Sequence, residues 1–428
     1  MSNYVRVRWL IISMLFIASG ISYLDRAALS IAAPLVAKDL HLNPAQLGLV
    51  FSVFFFGYAA FCFVGGYSSD KIGPKNVLTL AMTVWSIFCG LTAAATGMAS
   101  LLIIRLIFGA GEGPFGSTVN KFVRNWIPRH EHAKAVCMSN AGNPIGAAVA
   151  GPVVGFIAVT WGWRWSFIII AAMGLVWVAG WVYVMTDRPD EHRWLCVEAA
   201  RGEFADLKTG VQATPRLPLR AYLLRADILA DAFSMFAFTY IIYFFLTWFP
   251  SYLVMARHLS IQKMSVVAMI PWLVGFFGGV GSGFLIDEIY RRTDRALFSR
   301  KVVLVGSLLV ASVCIALAGI VTSIVGVVTL ITVAVFAVYL MNGAFWAVIL
   351  DIVEAPRIGG VGGFVHLTAN TAGLIAPSVT GLIVQVTGSF MSAFVLTGAI
   401  ALTAALSVQI FIRLPKQDVS RIRMRPAE

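Results

Sequence analysis

The sequence predicts an all-α membrane protein of twelve transmembrane helices, arranged as two six-helix pseudo-repeats. Three observations carry that prediction. The 428 residues are 59% hydrophobic and only 12% charged, whereas a soluble domain has roughly 25% charged residues. Roughly twelve apolar stretches of about 20 residues can be drawn, each long enough to cross a hydrocarbon core. A single polar segment divides them six and six. Barrel strands would be shorter and alternating; these runs are neither.

The runs start near Trp9, Ala45, Val77, Leu101, Ala135, Trp165, Ala226, Val266, Val302, Val325, Val361 and Ser392. The first follows Arg6 and Arg8, as a signal peptide would. It is long for such a segment, however, and ends in Tyr23-Leu24-Asp25-Arg26 rather than a small-residue cleavage site, so it reads as a retained helix. The second is followed by Gly66-x-x-x-Asp70-Lys71-x-Gly73-Pro74-Lys75, and the eighth by Gly283-x-x-x-Asp287 in the corresponding place. From about Asp187 to Arg220 the chain is polar and holds Pro189, Pro215 and Pro218. The expected division is a first bundle over 1–186, a cytoplasmic linker over 187–222, a second bundle over 223–413 and a cytoplasmic tail over 414–428. Two related six-helix halves are a known plan for secondary transporters.

The net charge of +12 reflects topology before it suggests nucleic acid. Basic residues gather in alternate loops: Lys71/Lys75, then Lys121 to Lys134, Arg188 to Arg225, Arg291 to Lys301, and the tail from Arg413. Arg257 and Lys263 are exceptions. The positive-inside rule then puts the rich loops and both termini in the cytoplasm. The five cysteines, Cys62, Cys89, Cys137, Cys196 and Cys314, are scattered and form no C-x-x-C, so neither a disulfide framework nor a metal site is implied. No cofactor is expected.

Charge inside the spans is the informative feature. Asp25 and Arg26 lie in the first, and Arg105 and Glu112 in the fourth, while the second half reads as almost free of charge within its spans. Each such residue costs at least ~2.5–3.5 kcal/mol at bilayer depth, so it is kept where it pairs, lines water or moves something charged. Asp25 and Arg26 are consecutive and point about 100° apart on a helix. Arg105 and Glu112 are two turns apart on one face, about 10 Å in rise. An anion that takes an Arg partner deprives the competing carboxylate of its counter-charge and raises its proton affinity. Proton and anion binding are thereby coupled without a cofactor. The competing reading is a structural ion cluster tying helices together. Gly111-x-Gly113-x-x-Gly116 fits a dinucleotide fingerprint only by letter, because it has no preceding strand. No phosphate-binding G-x-x-x-x-G-K-[ST] occurs, and no enzyme-like constellation of nucleophile, metal or cofactor ligands is found.

The Gly66–Lys75 stretch resembles the loop signature of the major facilitator superfamily, departing from it at Pro74. Tyr23-Leu24-Asp25-Arg26-Ala27-Ala28-Leu29-Ser30 resembles the first-helix motif of the superfamily's anion:cation symporter branch, which includes galactonate, glucarate and phthalate carriers. Arg105 with Gly111-Glu112-Gly113-Pro114, Asn125-Trp126-Ile127-Pro128-Arg129, and Phe244-Phe245-Leu246-Thr247-Trp248-Phe249-Pro250 extend the resemblance along the chain. The resemblance implies the major facilitator fold, a bacterial inner (plasma) membrane location and import of a small organic anion with protons by alternating access. It implies proton-carrying roles for Asp25 and Glu112 and a carboxylate-holding role for Arg26. Asn143 and Trp346 stand at positions that in the family contact substrate; Tyr23 and Tyr58 as hydroxyl donors, Arg105, and His366 with Asn370 one turn further are the other expected substrate-binding residues. Gly66, Asp70, Lys71 and Gly73 would form the cytoplasmic gate. The expected partners are the organic anion, protons and the bilayer, with no nucleic acid, and the working unit a monomer.

Several positions carry a plainer alternative. Asn143, beside Pro144, can equally bond a neighbouring backbone. Trp248 can be an interfacial belt residue. His366 stands where the sugar-acid carriers often have Asn, and a lone buried His is often a satisfied core group. That departure, with Phe345, Trp346 and Phe364 nearby, leans the substrate from sugar acids toward less hydroxylated carboxylates, while Asn342, Asn370 and Asn143 keep sugar acids open. Gly151-Pro152-x-x-Gly155 resembles part of a drug-antiporter motif, so a proton-driven drug or metabolite antiporter of the same fold is the alternative function.

Overall fold

The computed structural model describes residues 3–128, 131–192, 195, 218–354 and 357–413. Most of the expected linker and the whole expected tail lie outside them. Among the described residues, twelve helices are long and apolar enough to cross a membrane. They are α1 (Tyr4–Asp39), α2 (Pro44–Cys62), α3 (Pro74–Ala94), α4 (Met98–Trp126), α5 (Lys134–Thr160), α6 (Trp163–Val184), α7 (Ala226–Met255), α8 (Ile261–Thr293), α9 (Ala296–Ile320), α10 (Ile324–Ile352), α11 (Gly360–Thr387) and α12 (Met391–Phe411). No strand occurs among the described residues.

Local chemistry sets the helix ends. Asn43 caps α2: its side chain accepts from the Gln46 amide at 2.8 Å, and Gln46 accepts from the Asn43 amide at 2.9 Å. That reciprocal box satisfies donors the first turn leaves free. The helix carrying α2 runs on to Ile72, so Gly66 and Asp70 are helical rather than in a loop. The turn narrows to Gly73, whose φ of +83° suits glycine. The α4 span is two helices, Met98–Glu112 and Phe115–Trp126, interrupted at Gly113-Pro114. The α10 span is likewise divided, into Ile324–Leu340 and Ala344–Ile352.

Packing repeats between the halves. In the first, α1 packs on α5, α2 on α4 and α3 on α6; in the second, α7 packs on α11, α8 on α10 and α9 on α12. Across the molecule α2 meets α11, α5 meets α8 and α1 meets α7. Small residues permit the closest approaches. A Cβ on Gly57 would lie 2.1 Å from the Leu106 carbonyl, and one on Gly109 2.0 Å from that of Phe54, so α2 and α4 touch backbone to backbone.

The seam between halves is tight where α1 ends and α2 begins. A Cβ on Gly48 would stand 2.6 Å from the Pro377 carbonyl, and one on Gly381 2.5 Å from that of Pro44. Ser378 donates from its amide to Ser52 Oγ at 3.1 Å, and the two hydroxyls meet at 2.8 Å. Ser30 donates to the Thr247 carbonyl at 2.8 Å. Trp248 is buried in this seam, donates to the Pro377 carbonyl at 3.0 Å and meets Phe51 edge-on. The belt alternative for Trp248 is therefore wrong: its indole hydrogen bond is made inside the protein.

Candidate functional site

Deeper in the seam, α1 supplies two consecutive charges on different faces. Asp25 points toward α3, where the Cys89 thiol lies 3.6 Å from Oδ1. Arg26 points toward α4 and α7. Its Nε and Nη2 reach Glu112 Oε1 at 2.7 and 2.6 Å, and Nη1 reaches the Tyr243 hydroxyl at 3.1 Å. Ser22, one turn before Arg26, donates to the same Oε1. The guanidinium also lies over the rings of Tyr58 (4.7 Å), Tyr23 (5.0 Å) and Phe54 (5.2 Å), an arrangement with cation–π character.

All four charged residues are buried: Asp25 is 1% exposed, Arg26 7%, Arg105 3% and Glu112 0%. Arg105 does not join the Arg26–Glu112 pair. It lies over Phe108 at 4.8 Å and Phe54 at 4.9 Å, and its Nε makes no hydrogen bond. Glu112 is lopsided, since Oε1 receives every bond just described while the buried Oε2 has none. Protonation of Glu112 would weaken a charge-assisted contact and free one edge of the Arg26 guanidinium for another anion.

The second half answers with rings and amides. Tyr243 is buried on α7 and stacks obliquely on Phe55 of α2, centroids 4.2 Å apart. On α11, Gly373 faces Phe55, and Pro377 and Gly381 face α2. The same helical stripe continues through Asn370 to His366, since these positions recur at spacings of three and four. Asn370 Nδ2 lies 3.1 Å from His366 Nδ1 and donates to the His366 carbonyl at 2.8 Å. The half-exposed Trp346 of α10 faces the imidazole, centroids 6.2 Å apart. Asn143 is half-buried just past the Asn140/Gly142 break in α5.

Tyr23, Arg26, Tyr58 and Glu112 are thus in one constellation. Asp25 and Arg105 flank it, and Trp346, His366 and Asn370 form a second cluster. The sequence reading missed Ser22, although its one-turn spacing from Arg26 placed it on the same stripe. It also missed Tyr243, which only the packing of α7 on α1 brings to Arg26. The reading that the second half is almost free of charge within its spans also missed Asp231, which is wholly buried in α7.

The expected gate residues lie at the far end of α2. Asp70 pairs with Lys121 of its own half, which holds its carboxyl below the usual carboxylate range. Lys71 lies over the Tyr67 ring at 4.5 Å. Asp187 accepts from the Lys75 amide at 2.7 Å beside Gly73. Cys62, Cys89, Cys137 and Cys314 are free, and no metal-binding cluster occurs among the described residues; Cys196 lies outside them.

Known proteins show the family of this chain. The chain is 47% identical to the hexuronate transporter of Bacillus subtilis (strain 168) over 405 residues, covering 94% of each chain. It is 31% identical over 413 residues to a probable sulfoacetate transporter of Cupriavidus necator, covering 95% of this chain and 94% of the other. A bacterial homolog of the human lysosomal transporter Spinster, solved in an inward-facing and occupied conformation, superposes with a TM-score of 0.77 at 17% identity over 100% of both chains; that likeness concerns the fold. These relatives are membrane transporters, not enzymes, and agree with the anion symporter branch. The profile of the Major Facilitator Superfamily matches residues 15–365, so this chain, with twelve candidate spans, a repeated helix packing and a buried Arg26–Glu112 ion pair, is an integral membrane transporter of that superfamily.

Proposed function

We propose that the chain is a proton-coupled symporter that imports a hexuronate, or a sugar acid close to it, across a bacterial inner membrane. The observation that carries the coupling is the contest for Arg26. In this conformation Glu112 occupies the Nε/Nη2 edge of the guanidinium. A substrate carboxylate that binds bidentately through Nη2, on either edge of the fork, must compete with Glu112 for that donor. Protonating Glu112 removes its claim, and Asp25 supplies a second carboxyl within the same helix layer. A proton and an anion therefore bind together more readily than either binds alone.

Two supports bear on the substrate. The high identity to a hexuronate transporter favours a hydroxylated acid over the less hydroxylated class toward which His366 leans the sequence. Hydroxyls also find potential partners in Tyr23, Tyr58, Tyr243, Asn143, His366 and Asn370, with Trp346 as a flat wall. In this reading the halves 1–186 and 223–413 rock about the site as a monomer. Both termini and the linker 187–222 are cytoplasmic, and the tight seam at Gly48 and Gly381 is the external side. The structure then faces inward. Gly66, Asp70, Lys71 and Gly73 form the cytoplasmic gate, with Asp70 parked on Lys121 until the halves close.

The test is uptake of D-galacturonate by purified protein in liposomes with an alkaline interior. Accumulation that a protonophore abolishes is the expected result. Uptake indifferent to the proton gradient overturns coupling. Substrate extrusion driven by inward proton flow establishes the antiport alternative.

A further inference from the structure

Asp231 stands apart from the site above. It lies in the second turn of α7 and is 0% exposed. Both of its carboxylate oxygens are buried without a hydrogen-bond partner, and among the described residues no other carboxyl has both oxygens so placed. Two turns along the same stripe, Phe238 packs on Phe345 and Tyr339 of α10 at 5.4 and 6.2 Å. At the start of α7, Arg225 donates to the Ile352 carbonyl at 3.1 Å. Between those two anchors Asp231 is level with the lower α10 segment, Ala344–Ile352, whose Phe345, Val348 and Ile349 are buried and apolar.

The charged groups on the surrounding elements make no hydrogen bond to Asp231. On its own element, Asp227 is held by Arg225 at 2.5 and 3.0 Å. Asp351 of α10 pairs with Arg300 of α9. On the α11 side, Arg357 precedes the helix and His366 meets Asn370. The short helix Leu219–Leu223 carries Arg220. Asp25 and Arg26 of α1 are committed to Cys89, Glu112 and Tyr243, and Glu288 of α8 to Arg291 and Arg292. The α12 helix has no charged residue. Asp231 bonds none of these groups.

We propose that Asp231 is a second proton-binding site, loaded while the lower α10 segment is seated on α7 and released to water when that segment lifts. An ionised carboxylate walled by apolar side chains without a cation or donor is strongly disfavoured, whereas the neutral acid loses far less solvation. The break at Met341–Gly343 separates the lower segment from the rest of α10 and supplies a place for it to hinge. The step balances simply: the O–H bond of the neutral acid breaks, the carboxylate keeps the electron pair, and water takes the proton.

The link to transport rests on the symport reading; the protonated acid does not. Infrared difference spectra of the purified full chain at neutral pH should contain a deuterium-sensitive carboxylic-acid band that Asp231→Asn removes. In liposomes, Asp231→Asn should retain D-galacturonate exchange while the charge moved per substrate falls by one proton. A wild-type spectrum without such a band overturns the proposal whether or not the variant folds. So does a variant with an unchanged charge-to-substrate ratio and pH profile. If Asp231→Asn is unstable, Asp231→Glu must keep the acid band at a shifted frequency, and its absence is equally fatal. A parent that moves substrate without protons overturns the symport reading instead, and the infrared band then decides protonation of Asp231 by itself.

Discussion

The two walls of the central site are built from different chemistry. The first half brings a guanidinium, a carboxylate and a serine into direct contact, with Arg26 and Ser22 both donating to one oxygen of Glu112. The second half brings Tyr243, Trp346, His366 and Asn370, which can orient a ligand but hold no ion pair among them. The charged wall can exchange a proton for an anion; the uncharged wall can measure shape and hydroxyl pattern. Under the proposed symport reading, coupling falls to one half and selectivity to the other, and each half of that proposal can be broken separately.

The largest effect is expected at the charged wall. Glu112→Gln keeps shape but carries no exchangeable acid proton, so gradient-driven accumulation should fall to background, as it should in Asp25→Asn. At least one of the two should still exchange labelled substrate in counterflow, because exchange moves no net proton. Accumulation at the parental level in both variants would remove coupling from this half. Glu112→Gln also leaves Arg26 without its buried partner, a loss that costs ~3–5 kcal/mol in typical cases, so its melting temperature should drop as well.

Next comes Arg26→Lys, which preserves charge and loses the planar fork. Substrate affinity measured by calorimetry should weaken roughly tenfold or more, or at least ~1.4 kcal/mol. Arg105→Lys should cost less affinity, because Arg105 lies over rings and outside the Glu112 pair. Equal losses in the two variants would merge roles that the geometry separates.

A smaller effect is expected at the seam that brings the walls together. Gly48→Val places side-chain atoms where a Cβ already stands 2.6 Å from the Pro377 carbonyl. The external end should then fail to close, and a cysteine at Ser52 should label faster from outside than in the parent. Unchanged labelling would mean that the two helices do not meet there during transport.

The smallest change belongs to the uncharged wall. His366→Asn restores the amide usual in sugar-acid carriers and keeps hydrogen-bonding capacity beside Asn370. Competition assays should show a few-fold shift in the ranking of hexuronate against open-chain hexonates, with proton coupling intact. A variant that loses coupling instead would show that selectivity and coupling share both walls.

Much of the architecture was readable because its physics is local. Apolar runs of spanning length report the bilayer. Gly113-Pro114 announces the break in α4, since proline lacks the donor a continuing helix needs. The resemblance carried by Tyr23–Ser30 and Gly111–Pro114 pointed to a cluster that includes Arg26 and Glu112. The seven-residue spacing of Arg105 and Glu112 was less informative. It put both on one face of α4, yet Glu112 pairs with a different arginine, from another helix. Trp248 was ambiguous because a tryptophan near a helix end suits either an interface or a seam.

The amino-acid sequence by itself determined the twelve apolar segments of membrane-spanning length, and it named Asp25, Arg26, Arg105 and Glu112 as charges to be compensated there. These properties follow from transfer free energies and helix geometry, which each segment carries alone. Only the tertiary structure decided the partners. It set Ser22 and Arg26 on one oxygen of Glu112, brought Tyr243 across from the other half, turned Asp25 toward Cys89, and left Asp231 enclosed without a donor. Partnership depends on which helices pack together and at what depth. Those distances are set between segments far apart in the chain, where no local pattern reports them.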